Sequence, residues 1–201
     1  MDPLRDVDLG AYYFFRFQAN HHPQLVPVLQ GIDALAGYVA AAVLLLLAVL
    51  TFCLRGRPRA GVAAVLVAVV GAAVIESLRH LIARRRPDDA QDLLGAAAML
   101  GSYPAGGVFL FTMTLLLFAS ALGIGAPRGN RVALGLVAAL LIVGVCLAEL
   151  MLGLHYVTDV VGGMLGGSAC AILTWSLAAR PIPETAATGT AGQKGTGSGA
   201  A

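Results

Sequence analysis

Apolar residues run in long unbroken stretches along this chain, and polar residues collect between them. Residues 32–54, 61–82, 102–123, 132–154 and 157–177 are each long and apolar enough to cross about 30 Å of hydrocarbon as a helix. The pattern predicts an all-α fold, a polytopic membrane bundle of about five transmembrane helices. Residues 6–27 read differently. They mix Tyr12, Tyr13, Phe14, Phe15 and Phe17 with Arg16, His21 and His22, and their apolar part is too short to span. Such a segment predicts an interfacial helix at headgroup level, in an N-terminal unit 1–31 ahead of a bundle over 32–179. His21 and His22 read as solvated. Residues 180–201 are small, polar and rich in Gly, which predicts a disordered tail.

Composition agrees with a membrane chain: 58% of residues are hydrophobic and 12% charged, with a mean hydropathy of +0.82. Soluble domains are rarely so apolar. The net charge is +2 with basic residues scattered at segment ends, which excludes a nucleic-acid footprint and leaves anionic lipid as the electrostatic partner. Cys53, Cys146 and Cys170 lie inside apolar runs at no metal-ligand spacing, so neither a metal nor a disulfide framework is implied. Arg55, Arg57 and Arg59 in one loop, and Arg128 and Arg131 in another, mark the cytoplasmic side. With five spans the N-terminus then lies outside and the tail inside. Residues 79–87, 102–107 and 155–159 all fall at the outer face.

Those three stretches carry the candidate chemistry. His155 and Asp159 are four residues apart and share a face if helical, so the carboxylate can hold one imidazole nitrogen and present the other to a substrate. This arrangement serves a nucleophile or a general base, and it is also what a self-satisfying buried pair looks like. Ionisable residues inside a membrane are costly and usually functional. Arg79 and Arg86 are seven apart, two helical turns, and would likewise share a face. Glu76 can pair with Arg79 three residues on. In SYPAGG, Ser102 can cap a helix whose first turn holds Pro104, leaving the N–H groups of Ala105, Gly106 and Gly107 as an anion cradle. Gly162 with Gly166, and Gly163 with Gly167, make two small-residue faces for close helix packing.

Arginines to hold phosphate oxygens, backbone N–H groups to stabilise their charge and an oriented imidazole to attack are the parts of phosphoryl transfer through a phosphohistidine. In order and spacing, residues 79–159 resemble the type-2 phosphatidic acid phosphatases, the lipid phosphate phosphatase and haloperoxidase superfamily, with its pattern K-x6-RP, PSGH and SR-x5-H-x3-D. Arg79-x6-Arg86-Pro87 matches the first motif with arginine for lysine, and His155 and Asp159 match the third. The resemblance implies His155 as nucleophile, Asp159 as its orienter, Arg79, Arg86, Ala105 and Gly106 as the phosphate site, and no cofactor. The middle motif is here Pro104-Ala105-Gly106-Gly107, so Gly107 stands where the family's proton-donating histidine would be. Ala148-Glu149 replaces the SR. Two functions are open: a membrane phosphatase for a lipid phosphate or isoprenoid pyrophosphate, or a non-catalytic member that binds a lipid headgroup or serves a structural role. In the second, Glu149 would bridge Arg79 or Arg86 where a phosphate would sit.

Overall fold

The computed structural model describes residues 3–87 and 101–179. Seven α-helices follow one another among these residues: α1 (Pro3–His21), α2 (Val26–Asp33), α3 (Tyr38–Leu54), α4 (Pro58–Ile82), α5 (Gly106–Leu122), α6 (Arg128–Leu152) and α7 (Val157–Ala178). The fold is an all-helical bundle. The carboxylates Asp88, Asp89 and Asp92, and the tail over 180–201, lie outside the described residues.

The bundle is built around α5. A helix apolar on every side belongs in a core, and α5 buries Val108, Phe109, Phe111, Met113 and Leu117 almost completely while packing on α3, α4, α6 and α7. The surrounding helices bury one face and expose another. Leu46 and Leu50 of α3, Leu66 and Val69 of α4, Leu136 and Leu140 of α6, and Leu165 and Ile172 of α7 all point outward. So much exposed apolar surface is lipid-facing. By length and composition α4, α6 and α7 can each cross a membrane, the bent pair Pro23–Ala36 with Tyr38–Leu54 makes a fourth crossing, and α5 at 17 residues is a shorter apolar helix. This is a membrane protein.

Two boundaries differ from the hydrophobic pattern. The first apolar run is not one straight helix, because it breaks at Gly37, whose backbone is extended (φ −68°, ψ 153°), and the two parts meet at 50°. A Cβ at Gly37 would stand 3.0 Å from the Ala34 carbonyl oxygen, so a glycine suits this tight break. The third run starts its helix at Gly106, with Ala105 at the N-cap and no side chain capping it. Ser102 and Pro104 lie before the helix, because the Ser102 hydroxyl is drawn to a buried carboxylate of α7.

Close approach of α5 and α7 depends on the glycine pairs. A Cβ on Gly163 would lie 2.5 Å from the Ala105 carbonyl oxygen, and one on Gly167 would lie 2.5 Å from that of Phe109. Gly162 and Gly166 instead receive the rings of Tyr103 and Phe109. Backbone cannot retreat as a flexible side chain can, so Gly167→Ala should lower the thermal unfolding temperature of detergent-solubilised protein. Gly144→Ala, at a helical position with nothing within 4 Å, should leave it unchanged or raise it, by up to roughly 1 kcal/mol of helix propensity. Equal melting of the two variants would refute the close approach.

Candidate active site

Asp159 occupies the third position of α7, where its carboxylate accepts the Tyr156 N–H at 3.0 Å. An acid in the first turn also meets the positive end of the helix dipole. This carboxylate is fully buried, so it needs donors to stay charged. Ser102 Oγ donates to Oδ2, and Arg84 donates to Oδ1 at 2.8 Å. The second Arg84 nitrogen reaches Asp8 of α1 at 2.6 Å, and its guanidinium lies 4.4 Å over the Tyr156 ring. Asp8, itself buried, accepts the Thr158 N–H at 3.0 Å and the Thr158 hydroxyl at 2.6 Å. One arginine thus ties α1, the end of α4 and the start of α7 together.

His155 stands just before that cap, in the turn after Gly153, which has φ 72°. It is not on a helix, so a shared helical face does not explain its nearness to Asp159; the N-cap turn does. Nδ1 lies 3.6 Å from Asp159 Oδ2, ion-pair reach and not the closer hydrogen bond the spacing implies, and 3.4 Å from Ser102 Oγ. Nε2 is 2.9 Å from Arg86. A guanidinium can only donate, so Nε2 is the acceptor nitrogen and the ring proton sits on Nδ1, toward Asp159. The lone pair a nucleophile needs is on Nε2. Burial holds the imidazole below its ordinary 6.5, with Arg86 and Arg79 acting in the same direction and Asp159 against them.

The two sequence-flagged arginines reach the site by a route the spacing does not show. α4 ends at Ile82, and Ala83 turns the chain in the left-handed region (φ 46°). Beyond it Arg84 and Arg86 are half-buried while Arg85 is exposed, the alternation of extended chain. Arg86 donates to the Leu154 carbonyl at 3.1 Å as well as to His155, and burial, then the like charge of Arg79, lowers it from its ordinary value. Arg79, buried in the last turn of α4, bonds the Gly101 carbonyl and Glu76 at 3.0 Å each. Its guanidinium lies against Gly106, 3.4 Å from where a Cβ would be.

The anion cradle is smaller than SYPAGG suggests. The Ala105 N–H donates to the Asp159 carbonyl at 3.0 Å and is used up. Gly106 and Gly107 hold the first two helical positions of α5, whose N–H groups have no carbonyl within the helix. Glu149 also departs from expectation. Its carboxylate does not bridge Arg79 or Arg86: Oε2 lies 3.9 Å from His155 Nε2 and takes no hydrogen bond, and Oε1 lies 3.1 Å from where a Cβ on Gly107 would stand.

Comparison with protein-family models matches residues 60–182 to the PAP2 superfamily. The chain belongs to the PAP2 superfamily. Among solved structures, it is similar to the first transmembrane PAP2 type phosphatidylglycerolphosphate phosphatase from Bacillus subtilis, with a TM-score of 0.75 and 22% identity over 88% of this chain and 86% of that one. That likeness shows the fold. A search of curated proteins finds no match.

Two residues at this PAP2 site escape a reading by motif, Arg84 and Asp8, and Ser102 serves Asp159 and not as the cap its motif suggests. Arg84 hides in a run of three arginines that also reads as a charged helix exit. Pro87 biases Arg86 toward extended backbone, and extended alternation would have put 84 and 86 on one side. No sequence signal marks Asp8, whose partners Arg84 and Thr158 lie 76 and 150 residues away. A cavity of about 770 Å³ opens beside the site between α1 and α7, with Leu9, Tyr103, Val161 and Leu165 as apolar wall and Arg84 and Arg85 at one end. It touches the Arg84–Asp8 network and not the imidazole.

The donors on Asp159 make a measurable claim. Ser102→Ala removes one from a fully buried carboxylate and should cost about 1–3 kcal/mol, read as a lower unfolding temperature in detergent. Ser120→Ala, whose hydroxyl bonds its own helix and Trp175, should cost less. The reverse order would show that the Ser102 contact holds nothing.

Proposed function

We propose that this PAP2 protein is a membrane phosphatase that hydrolyses a lipid phosphate or isoprenoid pyrophosphate through a phosphohistidine on His155. The observation that carries the reading is the imidazole itself: Nδ1 directed to Asp159 and Nε2 held by Arg86. In the reaction Nε2 attacks phosphorus, the bond from phosphorus to the leaving oxygen breaks, and that oxygen takes a proton. Water then attacks the phosphohistidine, the P–N bond breaks, and inorganic phosphate leaves. Arg86 moves its donors from the ring to the phosphate oxygens, Arg79 and the first-turn N–H groups of Gly106 and Gly107 take others, and Asp159 stabilises the charge that the ring acquires. Arg79 and Arg86 repel one another in a dry site, which a phosphate dianion relieves. The membrane bundle brings this chemistry to an amphiphile, and the loop arginines support a site on the face away from the cytoplasm. A cysteine introduced at Asp89 should therefore react with an impermeant reagent in intact cells, and one introduced at Gly56 should not; the opposite labelling would place the site inside.

One observation favours a second reading, a non-catalytic headgroup binder: the Glu149 carboxylate stands 3.9 Å from Nε2, near where a phosphate would lie. Phosphate release from a panel of lipid phosphates and isoprenoid pyrophosphates by purified full-length protein separates the two. Turnover that His155→Ala reduces to background, with labelled phosphate trapped on His155, supports the enzyme; its absence on every substrate supports the binder.

The pH dependence follows from the burial of His155. Its lowered value leaves the ring neutral and nucleophilic at pH 7, so kcat/KM should fall only below 6.5. Removing the positive charge in Arg86→Gln raises the imidazole value, and the acid limb should move to higher pH while KM rises. A limb that stays in place would show that Arg86 does not face the titrating group.

A further inference from the structure

A phosphatase needs a proton for its leaving oxygen, and Gly107 has none to give. We infer that Glu149 is the general acid of this site, delivering its carboxyl proton to the leaving oxygen and recovering one from the attacking water. The inference rests on the phosphohistidine reading above and adds a residue to it. Four observations converge. Glu149 is 3% exposed. Its Oε2 has no hydrogen-bond donor, and a carboxylate buried without donors is costly where the neutral acid is not. That oxygen lies 3.9 Å from the Nε2 that carries the lone pair. The other oxygen lies 3.1 Å from where a Cβ on Gly107 would stand, beside the Ala36 carbonyl, so the carboxyl reaches from the nucleophile to the N-terminus of α5.

Around Glu149 stand His155, Asp33 of α2, Arg79 of α4, Arg86 and Asp159, with Cys146 a turn behind on α6. A phosphate arriving between the arginines neutralises them and adds its own negative charge, which strengthens the hold of Glu149 on its proton when a donor is needed. In the first half-reaction Nε2 bonds phosphorus, the leaving oxygen departs and takes the Glu149 proton, and a carboxylate remains. In the second that carboxylate takes a proton from water as the water oxygen bonds phosphorus and Nε2 departs. The sum is phosphoester plus water giving alcohol plus phosphate, with Glu149 and His155 restored.

The test is a leaving-group comparison in purified full-length protein in nanodiscs: a short-chain phosphatidic acid, whose alkoxide needs a proton, against p-nitrophenyl phosphate, whose phenolate needs little. Glu149→Gln should lower kcat on phosphatidic acid by about 10²- to 10⁴-fold, lower it far less on the aryl phosphate, and abolish the alkaline limb of the kcat profile. Glu149→Asp should recover part of the loss on phosphatidic acid. The ratio between substrates is independent of how much variant folds. Equal losses on both substrates, wild-type turnover of phosphatidic acid by Glu149→Gln, or faster turnover because a blocking carboxylate has gone would each overturn the assignment while leaving the His155 mechanism intact. Wild-type protein that releases phosphate from neither substrate, nor from any lipid phosphate or isoprenoid pyrophosphate of the panel, and traps none on His155 would overturn both.

Discussion

The structure depends on satisfying one buried carboxylate. Asp159 is held by the hydroxyl of Ser102, the N–H of Tyr156 and the guanidinium of Arg84, and its own carbonyl accepts the Ala105 N–H. Remove one of the three donors to the carboxylate and its charge remains in a dry setting without its full complement of hydrogen bonds. Because the donors come from the end of α4, the approach to α5 and the cap of α7, meeting the demand fixes where three helices stop and start. His155 inherits its position from that arrangement.

Much of the fold was legible because hydrocarbon leaves the chain few choices. Runs such as 61–82 and 132–154 can only be helices when surrounded by lipid, and the glycine pairs on α7 announce where another backbone must come close. The failures all occur at ends. Gly37 breaks a run that hydropathy alone reads as continuous, and SYPAGG holds a serine that looks like a cap but is spent on a carboxylate one helix away. Periodicity measures how residues share a face; it is silent on what the chain does where helices end.

The site was legible in its members and less so in its geometry. His155, Asp159, Arg79 and Arg86 were found through charge in apolar surroundings and through family spacing, and the structure gathers them. The reasons differ from those the spacing suggests, since neither pair shares a helix. His155 precedes α7 and Arg86 follows α4, so the separations that look like helical turns are lengths of turn and extended chain. Arg84 and Asp8 were invisible because their roles exist only between distant segments, where no local pattern can point. Glu149 was visible as an anomaly of sign, and only its neighbours show that it stands against His155 and Gly107 and not across an arginine.

Asp8 and Thr158 are joined by two hydrogen bonds across a separation of 150 residues. A ribosome delivers the first of these long before the second. Throughout insertion the carboxylate of α1 waits without the N–H and hydroxyl it will accept, and Arg84 waits without Asp159, so the polar network closes only when α7 enters the bilayer. Long-range closure of this kind is slow and comes late. The network that positions His155 is therefore completed only once α7 has been made, and a nascent protein halted before α7 carries a membrane bundle without it.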